Sequence, residues 1–459
     1  MKLAQKSSFR DPCGFLLRHE DILYREILSK GAPDYQRLMT SRLYNSLVES
    51  EMLVAHSEIA PPFDVSPDHF KTIKPYEIDF ISYPYEWSFS QLRDAALLTL
   101  KITTTSLDHG MILKDASAYN VQFHHGKPIF IDTLSFTHYK EGAIWPAYRQ
   151  FCQHFLAPLA LMSKCDVRLS GLLSNNIDGI PLDLASTLLP FKTLLDFSLF
   201  LHIHMHARSQ RKYADKNDLP DIKKNNVSNK SLRGLLDSLE TAINKLNWKP
   251  IGTEWSDYYL DTNYSETALA EKRKAVQLFI DKCHAEQIWD LGANTGMFSL
   301  VAAQTGANVI SFDIDPGAVE KHYLHAREKG IRNVLPLLQD LNNPSTNIGW
   351  ALQERNSLIK RGPADICLVL ALIHHLAISN NVPLIEVARF LQQIAKMIII
   401  EFVPKEDSQV KRLLATREDI FPNYTQKCFE EAFSQCFKIV ARQQLNESNR
   451  SIYLMEAIQ

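Results

Sequence analysis

In the second half of the chain, apolar residues fall into short runs that alternate with longer segments of helical period. Ile288-Trp289 ends in Asp290, Met297 to Ala303 repeats apolar residues at helical spacing, and Asn308 to Phe312 ends in Asp313. Short apolar runs separated by amphipathic spans predict parallel strands joined by crossover helices. The alternation continues with a helix over Pro316–Lys329, strands over Asn333–Leu338 and Asp365–Leu372, a helix over Pro383–Lys396 and a strand over Met397–Phe402. Helices over Gln409–Thr416 and Gln426–Ala432 and a strand pair, Phe437–Arg442 with Ser451–Glu456, complete it.

The first half has a different rhythm. Gly14–Leu17 and Ile22–Arg25 predict a hairpin, Tyr35–Glu51 a helix, residues 61–79 a connector, and Ser90–Ser106 an amphipathic helix. A second hairpin turns at His125-Gly126, and Trp145–Met162, Leu182–Leu189 and Leu194–Ala207 have helical period. Residues 213–230 are polar and charged with few core formers, which predicts a linker. The expected division is an N-terminal α+β domain over 1–212, that linker, and an α/β domain over 231–459. Ser231–Leu246 and Ser265–Ile280 are helices of the second domain on this division.

With 459 residues, a multi-domain chain is expected, and 45% hydrophobic and 22% charged residues are globular values. A formal charge of −2 gives no footprint for nucleic acid. Seven scattered cysteines, none in C-x-x-C, argue for a reducing compartment and against a thiolate metal site. The N-terminal residues lack the apolar core of a signal peptide, and no apolar run has the length of a membrane span. The expectation is a cytoplasmic chain with no membrane partner. His202 and His206 share a helix face, but a metal would need further ligands at suitable spacing, so none is expected.

Between the first two strands of the second domain lies a turn, Gly292 to Gly296. Its glycines let the backbone turn sharply and approach a ligand, and Asn294 tolerates the left-handed conformation a tight turn can need. Carboxylates Asp290 and Asp313 end the flanking strands, where an open parallel sheet forms its ligand crevice. The D-x-G-x-x-x-G pattern departs from the dinucleotide fingerprint.

Residues 286–400 resemble the core of a class I S-adenosylmethionine (SAM) methyltransferase. Asp290, Gly292, Asn294 and Gly296 match that family's first motif, with Asn in place of the middle glycine, and Asp313 matches its ribose-binding acid. Asp340, in Leu337-Leu-Gln-Asp-Leu341, matches the adenine-contacting position, and Leu341 joins the implied cofactor set. Ala364 to Leu376 matches the fourth strand and the loop after it. The resemblance implies a Rossmann-like seven-stranded sheet closed by an antiparallel hairpin, SAM as cofactor, and His374 and His375 facing the methyl group. The chain as a whole resembles two-part bacterial methyltransferases related to nodulation proteins.

Histidine titrates near neutrality and suits a general base, although His374 and His375 serve equally well as pocket wall. Glu401, Lys405–Asp407 and Arg417–Asp419 are second-tier acceptor candidates. Trp255, Tyr258, Tyr259 and Tyr264, in the segment Trp248–Tyr264, could cover a sulfonium by cation–π attraction or simply pack against the sheet edge. The absence of an Asp-Pro-Pro-Tyr or Asn-Pro-Pro-Tyr loop points away from nucleic-acid bases and towards a small molecule or natural product. A protein acceptor stays open.

Asp115, Asn120 five residues later, and Asp132 after a hairpin resemble the metal-phosphate arrangement of protein and aminoglycoside kinases. That resemblance implies a kinase-like N-terminal fold, with Asp115 as base and Asn120 and Asp132 as magnesium ligands. No glycine-rich loop precedes them, and Arg25 or Lys74 would have to replace the usual strand lysine. Both residue types also cap turns readily. The alternative function is therefore a kinase-type phosphotransferase whose SAM domain is sensory or a second activity; a non-catalytic SAM scaffold is a further alternative.

Overall fold

The computed structural model of the chain describes residues 3–4, 8–208, 227–250, 252, 266–415, 418–446 and 448–458. The chain divides into two compact units, residues 1–248 with 347–355, and residues 249–346 with 356–459. The division follows Trp248 rather than the expected linker, most of which lies outside the described residues.

The first unit contains a five-stranded antiparallel sheet of β1 (Leu3–Ala4), β2 (Gly14–His19), β3 (Ile22–Leu28), β4 (His56–Ile59) and β5 (His69–Pro75), in the order β1-β2-β3-β5-β4. The expected helix over Tyr35–Glu51 is two helices, α1 (Ala32–Thr40) and α2 (Leu43–Glu49). Arg42, at φ +64°, breaks the helical run between them. The expected connector 61–79 contains strand β5. Its outer face is polar, with Lys71 paired to Glu58 at 2.8 Å, so its apolar content is low for a strand flanked on both sides.

Helix α3 (Phe89–Asp108) starts at Ser88, whose hydroxyl accepts from the Gln91 amide while Gln91 accepts from the Ser88 amide. That reciprocal cap satisfies amides the helix leaves open. Two short pairs follow: β6 (Met111–Leu113) with β9 (Phe136–His138), and between them β7 (Val121–His124) with β8 (Lys127–Phe130). The final helix of this unit, α4 (Asn229–Lys245), packs against α3. Its stripe Leu232, Leu236, Leu239 and Ile243 is buried, which is why residues 231–248 join the first unit instead of the second.

The second unit is built on a seven-stranded Rossmann-like sheet. Helix α5 (Glu266–Asp281) leads in, followed by β10 (Gln287–Leu291), α6 (Met297–Ala303), β11 (Asn308–Asp313), α7 (Pro316–Glu328) and β12 (Val334–Leu338). Then come β13 (Ala364–Val369), α8 (Leu384–Ile394), β14 (Ala395–Phe402), α9 (Gln426–Phe433), β15 (Phe437–Gln444) and β16 (Ser451–Ala457). The strand order is β12-β11-β10-β13-β14-β16-β15, with β16 antiparallel to both neighbours.

Strand β10 pairs with β11 on one side and β13 on the other, so chain order reverses there. In such a sheet the crevice beyond the carboxyl ends at that reversal is the place for a ligand. The central strands are apolar on both faces because both are covered: Ile288, Trp289, Ile366, Cys367, Leu368 and Val369 are all fully buried. Each such large side chain contributes roughly 1.5–3 kcal/mol. Asp315 caps α7 by accepting from the amides of Gly317 and Ala318 at 2.7 and 3.0 Å, with Pro316 at the first helical position. Among the described residues, no helix is long and apolar enough to cross a membrane.

Candidate active site

The turn after β10 is anchored on β11. The amides of Gly292 and Ala293 both donate to the Phe312 carbonyl, at 2.8 and 2.9 Å. Gly292, Asn294 and Gly296 lie at φ +73°, +51° and +87°, the left-handed conformations the turn requires. A Cβ on Gly296 would meet the ring of His322, on α7, at 2.1 Å, so glycine there is also a packing requirement.

Asp313 closes the turn. One carboxylate oxygen accepts from the Asn294 amide at 2.7 Å and the other from the Asp315 amide at 2.8 Å. Its carbonyl accepts from the Gln339 amide at 2.8 Å, which brings the end of β12, and with it Asp340, alongside. Asp340 accepts from the backbone and side chain of Asn342, and both Asp340 and Leu341 are half-buried. Asp290 accepts from the Ser299 hydroxyl at 2.6 Å, and Ser299 in turn accepts from Ser311 at 2.9 Å.

Burial pushes the carboxyls of both Asp290 and Asp313 up to about 6. Hydrogen bonds to Asp290 from Ser299, and to Asp313 from the amides of Asp315 and Asn294, oppose that push without cancelling it. Among the described residues, neither carboxylate takes part in an ion pair. The buried Lys272 ammonium draws the Asp290 carboxyl down without pairing with it, while the neighbouring Asp315 adds to the upward push on Asp313.

The loop after β13 lies against the same turn, because a Cβ on Gly292 would touch Leu372 at 3.2 Å. The expected strand to Leu372 stops at Val369, and Ala371 turns the chain at φ +50°. The Ala371 amide donates to Glu401 Oε2 at 2.8 Å. Glu401 is fully buried, takes Lys272 at 2.7 Å and lies 3.7 Å from Arg450, which also holds Asp407 at 2.8 Å. Glu401 is thus a brace under the loop rather than a group open to an acceptor.

His374 and His375 follow, opening a wide helical turn over His375–Ser379, with their rings 4.2 Å apart. His374 is buried, and its Nδ1 has no hydrogen-bond partner. Burial, followed by the neighbouring His375, Arg450 and Lys272, holds it well below the ordinary histidine range; burial takes His375 down to about 4. Both rings are neutral at physiological pH.

Several contributors have no signature in sequence. Lys272 lies on a polar-looking helix, Arg450 in a polar turn, and Ser299 and Ser311 inside apolar stretches. Only the spacing of Ser299, nine residues after Asp290, could have placed a hydroxyl over the carboxylate. Most of Trp248–Tyr264 and Arg417 lie outside the described residues. Asp419 pairs with Lys405 at 2.8 Å and is half exposed.

In the first unit, Asp115, Asn120 and Asp132 come together as expected from spacing. Asp115 accepts from the Ser117 amide at 2.9 Å and Gln150 at 2.8 Å, and Asn120 donates to the Ser135 hydroxyl at 3.2 Å. His202 is held between Tyr148 at 2.7 Å and Ser238 at 2.9 Å, so both its nitrogens hydrogen-bond within the unit.

The whole chain is 37% identical over 456 residues to the nodulation protein NoeA of Rhizobium meliloti (strain 1021), covering 98% of this chain and 95% of that protein. The chain belongs to the NoeA family. No family model matches it. Among solved structures, magnesium protoporphyrin IX methyltransferase ChlM from Synechocystis PCC 6803, with bound SAH, is similar at a TM-score of 0.31 and 17% identity, over 44% of this chain and 93% of that one. The bifunctional kinase-methyltransferase WbdD is similar at 0.29 and 17%, over 48% and 46%. Structural likeness this remote bears on neither ligand nor activity. For this NoeA-family chain, the site's own geometry has to carry the chemistry.

Proposed function

We propose that this NoeA-family chain is a SAM-dependent methyltransferase acting on a small-molecule or natural-product acceptor. One observation carries the reading. Asp290, Asp313 and Asp340 gather at the carboxyl ends of adjacent parallel strands around a glycine turn, and the two buried ones are pushed up by burial, with Lys272 acting on Asp290 from beyond ion-pair distance. SAM fits that donor set. Its sulfonium and ammonium groups supply positive charge, and its ribose diol supplies donors for Asp313, whose oxygens retain lone pairs beyond the two amides they accept.

When bound, SAM supplies a methyl group already activated by the positive charge of its sulfur. The chain's own task is alignment and, where needed, proton removal. His374 and His375 stand on the loop against the turn and are proposed to line the acceptor side. A neutral imidazole can accept a hydrogen bond from the incoming nucleophile. With its conjugate acid held at about 4, His375 is a weak proton sink, which favours an acceptor that is acidic or already nucleophilic.

The test is isothermal titration of SAM and S-adenosylhomocysteine into the full chain at neutral pH. Micromolar, one-to-one binding is expected, lost on Gly292→Arg. Turnover of SAM with cell extract, abolished in His375→Ala while SAM still binds, separates the catalytic reading from a SAM-binding scaffold.

A further inference from the structure

The kinase resemblance implies a divalent metal at Asn120 and Asp132, and the residues present do not fit one. One Asp132 oxygen takes the Arg25 guanidinium and the Leu134 amide (3.2 Å); the other takes the Ser135 hydroxyl. Ser135 is the same hydroxyl that accepts from Asn120, so the two implied ligands are joined through a serine rather than turned towards a shared cation. The second guanidinium nitrogen of Arg25 reaches Asp11 at 2.8 Å, and the arginine side chain is only 10% exposed.

Arg25 comes from β3, the middle strand of the five-stranded sheet, with Glu26 beside it paired across to Thr72 on β5. Its position is therefore set by the sheet and not by a mobile loop. Asp115, close enough to Asp132 to feel its charge, is held by Ser117, Gln150 and Asn120.

We propose that the Arg25 guanidinium takes the place a divalent cation would hold, so that the Asp11–Arg25–Asp132 cluster is a metal-free structural lock and the N-terminal unit does not transfer phosphate. A guanidinium offers fixed, planar donors to carboxylates, and here its two terminal nitrogens are directed at Asp11 and Asp132. The lock ties the start of the chain, the sheet and the Asp132 hairpin into one body.

Two measurements on the full chain test this. Paramagnetic titration with Mn²⁺, with and without ATP, should show no saturable site that depends on Asp132. Saturable Mn²⁺ binding to the wild type that disappears in Asp132→Asn would overturn the proposal. A thermal-denaturation cycle of Arg25→Met and Asp132→Asn should show each single change lowering Tm by several degrees and the double change costing clearly less than their sum. A strictly additive cycle would overturn the lock. Should Arg25→Met fail to fold, the cycle is run with Arg25→Lys, which keeps the charge and loses the second contact to Asp11; coupling to Asp132 is again expected, and its absence counts against the proposal.

Discussion

Two acidic clusters in this chain differ in one respect that decides what each can do. At Asp132 the counter-charge is built in: burial alone would raise the carboxyl, but Arg25 and the Ser135 hydroxyl hold it below the ordinary carboxylate range. At Asp290 and Asp313 the hydrogen-bond partners are hydroxyls and backbone amides, Lys272 acts on Asp290 without pairing with it, burial wins, and both carboxyls rise to about 6. Similar residues at strand ends thus give a closed structural knot in one unit and a site needing positive charge in the other. A carboxylate near a strand end does not identify a ligand site until its counter-charge is located.

The contrast can be broken most severely at Arg25. Arg25→Ala leaves Asp132 and Asp11 uncompensated and is expected to cost about 3–5 kcal/mol at neutral pH, measured by denaturant unfolding. Filling the open cluster's turn comes next. Gly296→Ala forces a side chain into the His322 ring at φ +87°, with an expected loss of about 2–3 kcal/mol and of SAM binding.

Asp313→Asn should act more on the ligand than on the fold. Removing the buried charge is favourable, but one of the two amides that Asp313 satisfies is left facing an NH2 group, so ligand-free stability at pH 7 should fall by at most about 1–3 kcal/mol, while SAM affinity falls about 10–100-fold in titration calorimetry. A drop in stability as large as that of Arg25→Ala would erase the distinction between the clusters.

The smallest effect is in pH dependence, and the clusters again have opposite signs. Asp290 and Asp313 have folded values above the ordinary 3.8, so their contribution to stability is fully present below about pH 4 and is lost as pH rises through about 6. Asp132 has a depressed value, so its contribution is present above the ordinary 3.8 and is lost as pH falls through the lower folded value. A cation bound at the open cluster favours the ionised forms. SAM affinity should therefore weaken from pH 7 to pH 5, by up to about tenfold per unit for each carboxylate.

Local chemistry made much of this legible in sequence. The strand–turn–helix at Asp290–Ala303 and the acids at Asp313 and Asp340 follow from glycine placement and apolar runs, and the structure brings all of them to one sheet edge. What sequence did not show depends on long-range contact. Lys272 and Arg450 meet Glu401 from far along the chain, and Arg25 meets Asp132 across 107 positions. Helix α4 falls in the first unit rather than the second, because its leucine stripe requires a partner without specifying which one. Residues 347–355 belong to the first unit although sequence places them between strands of the second, and no periodicity marks that excursion.

The buried carboxylates around the Gly292–Gly296 turn are proposed as a seat for SAM. Titration calorimetry of SAM into the full wild-type chain at pH 7.5, beside Asp313→Ala, tests it most directly. Saturable one-to-one binding in the micromolar range, lost in the variant, is the predicted result; a wild-type chain that takes up no SAM would contradict it.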